Sequence, residues 1–125
     1  MLTVGQSARI TRSYTRKDLE AYAALSGASA DSVPEPLIAA LFSYLLGVEL
    51  PGSGTNYLKQ DLDFKAPAPL NTVLEARVEI VKLRPEKHLV DLWASCTATN
   101  GTIICEGRSL VKAKDVPGAF SNQSR

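Results

Sequence analysis

A small cluster of acidic and hydroxyl side chains comes just before the longest apolar run of this 125-residue chain: Asp31, Ser32 and Glu35. A carboxylate at the head of a buried segment can act as a general acid or base, which makes Glu35 a candidate for proton transfer. The spacing Ser32-x-x-Glu35 equally fits a capping box, in which both side chains only bond the first turn of a helix. The spacing alone leaves both interpretations open.

A second candidate is the glycine-rich segment Gly52-Ser53-Gly54, which is followed by Thr55 and Asn56. Backbone amides in glycine-rich turns can converge on an anion, so this segment is a candidate substrate-binding loop. It is not a phosphate-binding P-loop, because the Gly-Lys-Ser/Thr element is absent. The alternative is a plain connecting loop.

Histidine and cysteine counts restrict the possible chemistry further. The chain has one histidine, His88, which excludes paired-histidine catalysis and a histidine metal cluster. Two cysteines are too few for a four-ligand structural zinc site, so we expect neither a metal nor a cofactor. Cys96 and Cys105 flank Asn100-Gly101, a strong hairpin signal that places them opposite each other. We expect free thiols, since direct opposition is at the short edge of disulfide geometry.

The apolar periodicity predicts two helices that position the first cluster. Thr15-x-x-Asp18 fits a capping box that starts one helix, and Gly27 is its expected end. A second helix is expected to begin near Ser32 and to end at Gly47. Its residues are apolar almost all round, which is typical of a buried helix.

Beyond Gly54 the apolar period changes from helical to two, which is typical of strands. Alternating residues around 57–65 predict one strand, and residues 66–69 interrupt it. Further strands are expected at 8–14, 74–80, 88–99 and 102–112. Consecutive strands with tight turns are antiparallel. The chain is therefore predicted to be α+β, a curved antiparallel sheet wrapped around one buried helix.

Length and composition indicate one domain, predicted at residues 1–114, with a flexible tail at 115–125. The 14 basic residues against 13 acidic ones give a net charge of +1, which argues against nucleic acid as a partner. The apolar stretch 37–46 is too short to span a membrane, and the first ten residues lack a signal-peptide pattern. We therefore expect a cytoplasmic protein.

Several motifs resemble the MaoC-like hot-dog family, which includes the R-specific enoyl-CoA hydratases. They are Ala-Ala-Leu-Ser-Gly at 23–27, Leu-Leu-Gly at 45–47, Leu-Pro-Gly-Ser-Gly-Thr at 50–55, Tyr-Leu-x-Gln-x-Leu-x-Phe at 57–64 and Leu-Arg-Pro-Glu-Lys at 83–87. The resemblance covers about residues 4–113. It implies a hot-dog fold, a dimer with a continuous sheet, and an acyl-CoA or acyl-carrier thioester as ligand.

The chain differs from this family at the positions of the family's catalytic residues. Active members carry an Asp followed by Asn-Pro-Leu-His after the first helix, and a later His-Gly at the head of the buried helix. Here the Asp position maps near Ala28, Pro34 stands in place of the His of His-Gly, and Glu35 replaces the Gly. The loop is also much shorter. The family's Asp-His mechanism is therefore not expected within this chain.

The resemblance also implies that Tyr57 and Gln60 line the acyl channel, although a regular strand would point them to opposite faces. Three hypotheses follow. The chain is a silent or partner-dependent subunit, as a homodimer or as a heteromer with a catalytic hot-dog subunit. Alternatively it is a thioesterase or hydratase that uses different residues, with Glu35 as the candidate because some hot-dog thioesterases use one carboxylate near this helix. The third hypothesis is a non-enzymatic acyl-CoA binder or sensor.

Overall fold

Residues 1–28 and 30–120 of the chain are described by a computed structural model. Within them, five antiparallel strands form one sheet in the order β1-β3-β4-β5-β2. The elements in chain order are β1 (Ser7–Arg12), α1 (Arg16–Ser26), α2 (Glu35–Tyr44), a π-helical turn (Leu45–Glu49), β2 (Asn56–Phe64), β3 (Leu74–Arg84), a short 3-10 turn (Pro85–Lys87), β4 (Leu89–Ala98) and β5 (Ile103–Lys112). The predicted α+β class is confirmed.

Helix α1 begins with the predicted capping box. The Thr15 hydroxyl accepts from the Asp18 amide at 3.2 Å, and the Asp18 carboxylate accepts from the Thr15 amide at 2.8 Å. Gly27 ends the helix in the left-handed conformation, with a φ of 78°. Glycine adopts this conformation without the steric cost that other residues have, which explains the stop.

The predicted capping box of α2 is wrong. Helix α2 begins at Glu35, its N-cap is Pro34, and no side chain caps it. Ser32 lies before the N-cap because Val33 is held in extended backbone: its amide donates to the Ala68 carbonyl at 3.0 Å. Helical backbone is also disfavoured at a residue that precedes proline, so Pro34 helps to keep Val33 extended.

Two further expectations for α2 are corrected. Gly47 does not end it, because the π-helical turn continues through this residue to Glu49. The helix is also not buried all round. One face is covered by the sheet, but Tyr44 is 44% exposed and Val48 is 58% exposed, and Ala40 and Ser43 are exposed beside them. The covered face consists of Ile38, Leu41, Phe42, Leu45 and Leu46.

The inner face of the sheet, which packs against α2, is built from alternate positions of the central strands. Register pairs place matching apolar residues across it, such as Val78 beside Ala94 and Leu92 beside Ile80. The fully buried members of this face are Leu74, Ala76, Val78, Ile80, Val90, Leu92, Ala94, Cys96, Cys105 and Val111. Burying such side chains contributes on the order of 2 kcal/mol each and fixes the register.

The predicted pairing of Cys96 with Cys105 is confirmed, and both thiols are free and buried. Residues 115–120, which fall in the predicted tail, pack against the domain: the Leu2 amide donates to the Ala119 carbonyl at 2.8 Å, and Ala119 is buried. The rest of that tail, 121–125, lies outside the described residues, so a domain boundary at residue 114 stays a prediction. None of the helices among the described residues is long and apolar enough to cross a membrane.

Candidate functional site

The structure separates the candidate residues into two places at opposite ends of α2. The head of α2 lies beside the end of β2, where Glu35 and Phe64 line one cavity, and the glycine-rich loop that precedes β2 is bonded to the other end of the helical segment by the Gly52 amide and the Leu46 carbonyl. Glu35 is at the head, whereas the loop and Tyr57 are at the tail. The two sets lie at opposite ends of the same helix, so Glu35 and the glycine-rich loop are too far apart to act on the same reacting group.

The head of α2 opens into a cavity of about 320 Å³. Its walls combine apolar side chains with a hydroxyl and a carboxylate at the helix end and with the cationic Lys65. The residues that line it include Ser32, Glu35, Ile38, Phe64 and Ile104. Two residues of the predicted cluster, Ser32 and Glu35, therefore line this cavity, whereas the third, Asp31, is an exposed loop residue.

Glu35 is free of the capping role that its spacing suggested, and its side chain is exposed. Its carboxylate lies close enough to the buried Cys105 thiol to influence it. Burial raises the pKa of Cys105 to about 12, and Cys96, Glu35 and Glu106 add smaller contributions in the same direction. A thiol with so high a pKa stays protonated and is a poor nucleophile at neutral pH.

Backbone donors are scarce at this helix start. Pro36, the second residue of α2, has no amide hydrogen. The Leu37 amide donates to the Pro34 carbonyl at 3.0 Å, so it is already used within the first turn. Stabilising the oxygen of a reacting thioester requires preorganised donors aimed into the site. The first turn of α2 therefore offers fewer such donors than a regular helix start, and the amide of Glu35 is the one at the position of the family's Gly.

At the other end, the glycine-rich loop uses several of its polar groups internally. The Gly52 amide donates to Leu46, and both the amide and the hydroxyl of Thr55 donate to the Gly52 carbonyl, at 3.1 and 2.7 Å. Gly54 has a φ of 102° and packs directly against the backbone of Asp115. The anion-binding role predicted for Gly52, Ser53 and Gly54 stays a prediction, with two of the loop amides already used.

Tyr57 and Gln60 share a face, because β2 contains a bulge. Tyr57 pairs with Val111, whereas Lys59 pairs with Leu110, so Leu58 is an extra residue in the strand. The extra residue shifts the alternation by one position. Tyr57 and Gln60 therefore both point to the inner face, which a regular strand would not allow.

Ser109 of β5 lies on the same face as these two side chains, and the sequence analysis missed it. It is 1% exposed, pairs with Gln60 across the sheet, and accepts from the Gln60 amide nitrogen at 3.3 Å. Burial raises the pKa of Tyr57, and the neighbouring Ser109 hydroxyl acts in the other direction. The sequence contains a signal for this residue. The inward positions of β5 alternate as Cys105, Gly107, Ser109 and Val111, and Ser109 is the one hydroxyl among them.

His88, the single histidine of the chain, is remote from the head of α2 but lies near the beginning of β2, since Lys112 pairs with both Leu89 and Asn56. It follows the 3-10 turn, its ring packs edge-on against Phe120 with centroids 5.6 Å apart, and its carbonyl accepts from the Ala113 amide. Ala113 follows the far end of β5, and Ile104 at the head cavity is close to its beginning. At about 3.3 Å per residue, the nine positions between them span roughly 30 Å.

Comparison with known proteins identifies the family. The (R)-specific enoyl-CoA hydratase of Aeromonas caviae is 34% identical over 127 residues, which cover 89% of this chain and 95% of that protein. The chain belongs to this hydratase family of the MaoC-like hot-dog proteins. An (R)-specific enoyl-CoA hydratase of Rhodospirillum rubrum is 32% identical, over 86% of this chain and 85% of that protein. No family model matches the chain.

Solved structures support the same family. The A. caviae hydratase has a TM-score of 0.82 at 33% identity, over 89% of this chain and 96% of that one. The hot-dog fold extends to more distant proteins, including a complex of two proteins, ChsH1 and ChsH2, from Mycobacterium tuberculosis, with a TM-score of 0.72 at 11% identity. That match covers 90% of this chain and 98% of the other, and it indicates the fold alone.

Proposed function

We propose that this chain is a cytoplasmic, thioester-binding subunit of a hydratase complex, and that a partner hot-dog chain supplies the catalytic pair. The observation that carries the proposal is the head of α2, where Pro34 caps the helix, Glu35 is exposed, and the Leu37 amide is bound within the turn. The ligand is an acyl thioester of CoA or of an acyl carrier.

Hydration of an enoyl thioester requires a base for the water, an acid for the α-carbon, and donors for the developing enolate oxygen. In the family these are an Asp, a His and the amide of a Gly. Ala28 and Pro34 stand where the Asp and the second His are expected, and neither side chain can transfer a proton. Glu35 would place a negative charge where the thioester oxygen gains one.

An open sheet edge supports the partner. Strand β2 is terminal in the sheet, nine residues long and free of proline, and Tyr57 and Leu58 are 39% and 52% exposed. An edge of this kind presents unpaired backbone groups that can pair with another strand. A second hot-dog chain that pairs there would extend the sheet, either as a homodimer or as a heteromer with a catalytic subunit.

Co-expression tests the proposal. The chain is produced with a hydratase-like protein encoded beside its own gene, and native mass and hydration of an enoyl-CoA are measured for the mixture and for each protein alone. We expect a heteromer that hydrates the thioester, and no turnover by this chain alone. A stable homodimer that ignores every such partner would contradict the proposal.

The exposed carboxylate in the head cavity favours one second candidate, a thioesterase or hydratase that uses Glu35. Purified protein is tested against a panel of acyl-CoA and enoyl-CoA thioesters, alongside Glu35→Gln. Turnover that disappears in this variant, but persists in Asp31→Asn, would favour this candidate. Saturable binding with no turnover, measured by calorimetry, would instead indicate an acyl-CoA binder or sensor.

A further inference from the structure

The inner face of β2 changes from apolar to polar along its length. Near the head cavity it presents Phe64 and Leu62, which are half-buried and pack against the core. Toward the beginning of the strand it presents Gln60 and Tyr57. At about 3.3 Å per residue, Gln60 lies roughly 13 Å from Phe64 along the strand, and Tyr57 lies farther still.

The polar end presents three polar side chains on one face, two of which are hydrogen-bonded to each other. Gln60 donates to the Ser109 hydroxyl at 3.3 Å. Tyr57 lies on the same inner face, because it pairs with Val111, which is two residues from Ser109 in β5. Its phenol carries a hydrogen that it can donate to an outside acceptor. Ser109 is 1% exposed and Tyr57 is 39% exposed, so these polar groups extend from the interior to the surface.

We propose that Tyr57, Ser109 and Gln60 form a subsite for an oxygen atom on the far part of the acyl chain, so that the protein selects thioesters whose chain ends in a hydroxyl or carbonyl group. This inference rests on the proposed function, which places the thioester at the head of α2. An acyl chain that follows β2 from there first meets Phe64 and Leu62, and then the phenol. An oxygen at its end accepts from Tyr57, whereas a methyl end leaves that donor without a partner.

Two features fit a binding role. The Leu58 bulge is what places Tyr57 on the inner face, and bulges are a known means of re-aiming a side chain at a site. Ser109 is also one of only two buried polar side chains among the described residues, in a core that is otherwise apolar. Burial raises the pKa of Tyr57, which keeps the phenol protonated and able to donate.

The test is calorimetric binding of ω-hydroxyacyl-CoA and saturated acyl-CoA of equal length, at several chain lengths. We expect the ω-hydroxy thioester to bind about tenfold tighter at the length that reaches the cluster. Tyr57→Phe should bring the two affinities together while the saturated thioester keeps its affinity. Ser109→Ala should reduce the preference in the same direction. Tyr22→Phe, a tyrosine of α1, is the matched control and should leave the preference intact.

Equal affinities for the two thioesters in the unmodified protein would overturn the inference and leave the proposed function standing. A preference that survives both Tyr57→Phe and Ser109→Ala would also overturn it. If no thioester of the panel binds, the proposed function fails and this subsite fails with it.

Discussion

The backbone amide of Leu37 donates to the carbonyl oxygen of Pro34 at 3.0 Å, which closes the first turn of α2 on itself. A helix start normally leaves its first amides free, and such amides are suited to an anion or to a developing oxyanion. Here one of those amides is used, and Pro36 removes another. The first turn of α2 therefore offers fewer free donors than a regular helix start.

The two predicted capping boxes should respond differently to mutation. Thr15→Ala removes a real cap and should lower the free energy of unfolding by about 1 kcal/mol. Ser32→Ala and Glu35→Gln should each change it by less than about 0.5 kcal/mol, since neither side chain caps α2. Urea unfolding measures all three. A loss in Ser32→Ala equal to that in Thr15→Ala would contradict the start of α2 described above.

Gly107 and Gly47 form a matched pair for testing how β2 joins the sheet. A Cβ at Gly107 would overlap the carbonyl of Asp61 in the adjacent strand, whereas a Cβ at Gly47 would meet no atom within 4 Å. Gly107→Ala should therefore cost about 2 kcal/mol or more, by forcing β2 away from β5. Gly47→Ala should be neutral or slightly stabilising. Equal melting temperatures for the two variants would rule out this close approach.

The carboxylate of Asp91 forms ion pairs with two arginines on the outer face of the sheet. It is 2.7 Å from Arg108 and 3.0 Å from Arg84, and the residue is 1% exposed. Asp91→Ala should cost about 2–4 kcal/mol, because Arg84 is left partly buried without a counter-ion; the figure is at the low end for buried pairs because Arg108 is largely exposed.

The control for Asp91 is Asp63, whose pair with Lys65 at 2.8 Å is at the surface. Asp63→Ala should cost far less than Asp91→Ala, because a solvent-exposed ion pair contributes little to stability. The two variants are compared by chemical unfolding at moderate salt. Similar losses in both would mean that the Asp91 cluster is not a stabilising element.

The two cysteines should make stability fall in alkaline solution. Burial raises the pKa of Cys96 to about 11 and that of Cys105 to about 12, from an ordinary thiol value of 9.0. Above about pH 9 the unfolded chain loses thiol protons that the folded chain keeps. The free energy of unfolding should therefore drop from there toward about pH 11, by up to about 1.4 kcal/mol per pH unit for each thiol.

Comparing the chain with a Cys96→Ala, Cys105→Ala double variant isolates this contribution from the lysines and tyrosines that titrate in the same range. The double variant should lose stability less steeply over this interval. The folded protein should also resist aromatic disulfide reagents that label both thiols once it is unfolded. Parallel pH profiles for the two proteins would contradict the buried-thiol explanation.

Local patterns in the sequence were enough to predict the architecture. Period-two alternation identified the strands, Asn100-Gly101 marked the hairpin between β4 and β5, and Thr15 and Gly27 marked the ends of α1. These features depend on neighbouring residues and on backbone preferences that each residue carries with it. The family motifs added the hot-dog fold, and the positions of Ala28 and Pro34 were sufficient to question catalysis by this chain alone.

The tertiary structure decided what depends on partners distant in sequence. Ser32-x-x-Glu35 fits a capping box, but the bridge from Val33 to Ala68 and the fixed φ of Pro34 move the helix start past Ser32. Alternation alone puts Tyr57 and Gln60 on opposite faces, and only pairing with β5 shows the extra residue that brings both to Ser109. A bulge and a cap are set by the strand or loop packed alongside, which the local sequence does not contain.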